Sequence, residues 1–101
     1  MTDLPIVCTL TDSERQQRRT DLLRQVAALM RERKPLDSGY AFRFGADDAS
    51  LDAVMQVIRL ERQCCSFLQF RLTVEPGGGP VWLELTGPAG AKKFLEAELG
   101  F

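Results

Sequence analysis

Hydrophobic and polar positions change period several times along this chain, and each change marks an element boundary. Residues 4–10 are β-rich and short, with Pro5 at the start, and alternation places Ile6, Cys8 and Leu10 on one face. Thr11 and Glu14 then have the spacing of a capping box, so a helix is predicted from about residue 11 to about residue 33, stopped by Pro35 and the loop 36–39. At about 100° per residue, Leu22, Leu23, Val26, Leu29 and Met30 form one apolar stripe. Extended backwards, that stripe meets Arg15 and Arg19.

Tyr40, Phe42 and Phe44 alternate with smaller or polar residues and read as a second strand. Asp47 or Asp48 can cap the next helix, predicted over residues 49–65, with Leu51, Val54, Met55 and Ile58 as its buried stripe. Leu68, Phe70, Leu72 and Val74 alternate with Gln69, Arg71 and Thr73; after the turn 76–80, Val81, Leu83 and Leu85 alternate with Trp82, Glu84 and Thr86. These two runs predict an antiparallel hairpin. A last helix opens near Pro88 and packs through Phe94, Leu95 and Leu99.

The predicted order is therefore βαβαββα. Strands separated by helices favour parallel crossovers, and the hairpin adds an antiparallel strand. The expectation is an α+β domain built as a two-layer α/β sandwich, with a mixed four-stranded sheet and the helices on one face. Thr9, Arg43, Arg71, Trp82 and Glu84 then share the other face, and Trp82 there suggests a homodimer through that surface.

Composition narrows the function classes. At 101 residues the chain forms a single domain, residues 1–101, and its 45% hydrophobic and 27% charged content is that of a globular protein. Thirteen Lys and Arg against fourteen Asp and Glu leave a net charge of -1, so no basic field for nucleic acid exists. No apolar run approaches the length of a membrane span, and residues 1–4 lack the features of a signal peptide. A cytoplasmic location is expected. Histidine is absent, which removes His-based zinc sites, the Ser-His-Asp triad and the Cys-His dyad.

The candidate chemistry lies at the end of the second long helix. Past Ile58 its stripe reaches Glu61, Arg62 and Cys65, with Cys64 flanking it beside Val57. A carboxylate, a guanidinium and a thiol thus stand where leucines are usual. Unpartnered buried charge costs several kcal/mol, so these groups must satisfy one another or line a cleft. Arg19 and Arg15 are the candidate partners of Glu61, and the expected pocket comprises Arg19, Glu61 and Arg62. Adjacent cysteines diverge on a regular helix, so Cys64 and Cys65 meet only if the helix ends there. Cys8, facing the core, is the third candidate thiolate; such a set suits soft ions and leaves a tetrahedral ion one open position.

Three readings of the cysteines follow: small buried hydrophobes, soft-ion ligands, or a redox or nucleophilic thiol. No sequence feature supplies a substrate for the third. Cys8-Thr9-Leu10-Thr11, the run from Leu60 to Phe70 and the run from Trp82 to Gly90 together resemble an uncharacterised family of small bacterial proteins with a Glu-Arg-x-Cys-Cys-x-Phe-Leu motif. The resemblance covers nearly the whole chain and implies a role in heavy-metal handling. The leading expectation is a soft-metal or metalloid binding domain using Cys64 and Cys65 with Cys8, for an ion such as Zn, Hg or As. The alternative is a non-catalytic dimeric interaction module whose cysteines are structural.

Overall fold

The computed structural model describes residues 13–99, which form α1 (Ser13–Leu29), β1 (Met30–Leu36), β2 (Gly39–Phe44), α2 (Asp48–Cys64), β3 (Gln69–Val74), β4 (Val81–Thr86) and α3 (Ala91–Leu99). The fold is α+β. Among the described residues three helices accompany a four-stranded sheet of order β1-β2-β4-β3, antiparallel throughout. The strand predicted over residues 4–10, including Cys8, lies outside the described residues.

Two expectations are corrected here. The sheet is not mixed, and the described order is αββαββα, because the predicted tail of the first helix is a strand. Residues 31–34 are all charged, so no apolar alternation announces β1. It pairs with β2 alone, at the sheet edge, where charged side chains discourage further pairing and where Pro35 loses nothing by lacking an N–H. Residues 37 and 38 turn the chain from Leu36 to its register partner Gly39. A Cβ at Gly39 would lie 1.8 Å from the Leu85 carbonyl oxygen, so the close approach of β2 to β4 requires glycine there.

The predicted hairpin is present as β3 and β4, with Leu72 opposite Leu83 and Phe70 opposite Leu85. In β4 the period-2 pattern is clear: Val81, Leu83 and Leu85 are buried, while Trp82, Glu84 and Thr86 are half-buried. Asp47 caps α2 by accepting from the Ser50 backbone N–H at 3.0 Å and the Ser50 hydroxyl at 2.8 Å. α1 packs on α2, and α3 packs on β2. Phe42, Phe44, Val54, Leu83, Cys64 and Cys65 all belong to one core cluster. The C-terminal end of α2 therefore enters the core next to α1 and α3.

Candidate thiol and carboxylate site

The buried line of α2 runs Ser50, Ala53, Val54, Val57, Glu61 and Cys64, stepping by three and four. It is rotated from the predicted stripe: Leu51, Met55 and Ile58 are only half-buried flanks. The rotation decides which polar residues go inside. Glu61 stays on the line, whereas Arg62 is exposed, which corrects its expected place in the pocket. In the last turn of α2, the Arg62 charge instead faces the negative end of the helix dipole.

Cys64 is the last residue of α2, and Cys65 follows as its cap, with φ −120° and ψ 66°. That departure from helical geometry removes the divergence of adjacent side chains. Both thiols are fully buried, and their sulfurs lie 3.4 Å apart. The Cys65 N–H still donates to the Glu61 carbonyl at 2.7 Å, so one backbone hydrogen bond fixes the cap over the carboxylate residue. Glu61 Oε, Cys64 Sγ and Cys65 Sγ all lie within 4.8 Å of one another.

Arg19 reaches this group from α1. Its Nε and Nη2 donate to the two Glu61 carboxylate oxygens at 2.6 and 3.1 Å, a bidentate pair; Nη1 donates to Glu98 at 2.6 Å, and Nη2 lies 3.8 Å from Cys65 Sγ. Burial on its own would lower the Arg19 pKa, but the Glu61 and Glu98 carboxylates outweigh it and hold the guanidinium above its ordinary value. Burial first, and the Glu61 carboxylate second, push the Cys65 thiol above its ordinary value. An activated nucleophilic thiol needs the opposite shift. Among the described residues, every buried side-chain nitrogen and oxygen has a hydrogen-bond partner.

Of the sequence-predicted site residues, Arg19, Glu61, Cys64 and Cys65 meet in one buried cluster. Arg62 and Arg15 are exposed, and Cys8 lies outside the described residues. Glu98 is the residue that sequence reasoning missed. A signal was present, because Ala91, Leu95 and Glu98 stand at i, i+4 and i+7 of α3, and the first two are its buried residues. No protein-family profile matches the chain, and no curated protein or solved structure matches it.

Proposed function

We propose that the protein binds a soft metal or metalloid ion through the thiolates of Cys64 and Cys65, with Glu61 as a third donor. The observation that carries this reading is the convergence of three buried donor atoms within 4.8 Å at the end of one helix. Thiolates select soft ions, and two of the three donors are sulfur. An incoming cation supplies the charge that deprotonates a buried thiol, so the raised Cys65 pKa makes binding proton-linked rather than preventing it. Cys8 is retained as a further candidate donor.

On this reading the domain works in a reducing compartment such as the cytoplasm, where Cys64 and Cys65 stay available as thiolate donors. No helix among the described residues is long and apolar enough to cross a membrane. Titration of the reduced protein with Zn(II), Hg(II) and As(III), beside a Cys64→Ser/Cys65→Ser double variant, tests the proposal. Saturable one-to-one binding that the double variant loses is the expected result. Equal, weak binding by both proteins sinks it.

A further inference from the structure

Within that soft-ion reading, on which the inference rests, we propose that the ligand class is a trivalent metalloid, As(III) or Sb(III), held in a three-coordinate pyramid by Cys64 Sγ, Cys65 Sγ and a Glu61 carboxylate oxygen. The two sulfurs lie 3.4 Å apart. At ion–sulfur bonds of about 2.3 Å, that separation subtends an angle of about 95°. A tetrahedral ion needs its sulfurs about 3.8 Å apart at the same bond length, and a linear two-coordinate ion about 4.6 Å. A trivalent p-block ion with a lone pair takes three donors at angles not far above a right angle. The spacing matches that geometry as it stands.

Packing holds the spacing. Both sulfurs are fully buried in the core cluster, and the α2 cap fixes the Cys65 backbone. Spreading the thiols to linear geometry would displace close-packed neighbours. Among the described residues, two sulfurs and one carboxylate come together, a set of three donors. Glu61 has to turn from Arg19 to complete the pyramid. Arg19 keeps Glu98 at 2.6 Å, so the guanidinium retains a carboxylate partner when Glu61 turns away.

The exchange balances without an oxidant or reductant. Arsenous acid, As(OH)3, condenses with the two thiols: two As–O and two S–H bonds break, two As–S bonds form, and two waters leave. The Glu61 carboxylate then displaces the third hydroxide, which takes one proton from solvent and leaves as water. Arsenic stays trivalent throughout. The two thiol protons depart on neutral water, so the condensation creates no charge inside the core, where an uncompensated charge is expensive.

The experiment is titration of the reduced full chain with sodium arsenite, in competition with Zn(II), with Hg(II) as a separate probe of thiol access and with X-ray absorption of the arsenite complex. One As(III) per chain, bound by two sulfurs and one oxygen and not displaced by equimolar Zn(II), is the expected result. Cys64→Ser and Cys65→Ser, each checked for folding by circular dichroism, are expected to lose more than the about 10–100-fold that changes outside the coordination sphere cause. Binding of Hg(II) or Zn(II) to the cysteines with no uptake of arsenite would overturn this inference and leave the soft-ion reading standing. Binding of none of the three would overturn both. An arsenic shell of three sulfurs would overturn the assignment of Glu61, and because that result comes from the unsubstituted protein it does not depend on whether a variant folds.

Discussion

Two networks of ion pairs occupy this small domain, and they differ chiefly in water. On the outer side of the sheet, Arg43 donates to Glu32 at 3.0 Å, Lys34 lies 3.6 Å from the same carboxylate and 5.0 Å over the Trp82 ring, and Arg71 approaches Glu84 at 4.0 Å. In the core, Arg19 bridges Glu61 and Glu98 beside two thiols. The Glu32 side chain is 39% exposed and that of Glu61 6%. If an outer pair breaks, water replaces the partner; if the inner pair breaks, a charge is stranded in the core. Exposure to water thus sets what the loss of a pair costs. Stability alone does not call for the inner pair either, since apolar residues of the same volume serve as well or better in such places. It lies instead against the thiols, with Arg19 Nη2 3.8 Å from Cys65 Sγ.

The largest expected effect comes from breaking the inner pair on one side only. Arg19→Met alone should destabilise the fold by about 3–5 kcal/mol, because it leaves the buried Glu61 carboxylate uncompensated, while Glu61→Leu should cost less because Arg19 keeps Glu98 at 2.6 Å. The Arg19→Met/Glu61→Leu double variant should recover most of that loss, with Glu98 close enough to the surface to hydrate. Urea unfolding of the three variants measures the cycle. Two single losses that simply add would show that the groups do not satisfy one another.

The pH dependence is next in size. Cys65 has a folded pKa raised above the unfolded value, so the native state holds its proton more tightly than the unfolded chain does. Its contribution is therefore fully present below the unfolded pKa of about 8.5 and declines as pH rises above it, by up to about 1.4 kcal/mol per pH unit. Unfolding free energies from pH 8 to 10 should fall faster for the native sequence than for Cys65→Ala. Parallel curves would place the Cys65 thiol in contact with water.

How far the chain announced all this depends on the residue. β2, β3, β4 and the cap at Asp47 follow from alternation and turn chemistry, which act locally and are written in adjacent residues. β1 was illegible because an edge strand needs no apolar face, and its four consecutive charges resemble a solvated helix end. Arg19 and Glu61 were legible as polar intrusions on apolar stripes. Arg62 was misplaced because apolar residues surround α2 widely enough to leave its inward line ambiguous by one helical step, and tertiary packing in the shared core selects the line through Val57 and Cys64. Glu98 pairs with Arg19 across 79 residues, a relation that no local pattern encodes.

The smallest expected effects lie on the outer network. Arg43→Gln removes the donor to Glu32, whose carboxyl that hydrogen bond holds below its usual range. Both side chains already touch water, so the melting temperature should move little, and by the same amount at every protein concentration. A shift that grows on dilution would mean something else. It would show that this face is covered by a second copy of the chain around Trp82, since loss of an interface is felt through mass action while loss of a solvated pair is not. Sedimentation of the same variant beside the native sequence separates the two outcomes: an unchanged monomer profile leaves the face solvated, whereas a dimer that weakens with Arg43→Gln makes the outer pairs part of an assembly and gives them the water-excluded surroundings that otherwise distinguish Arg19 and Glu61.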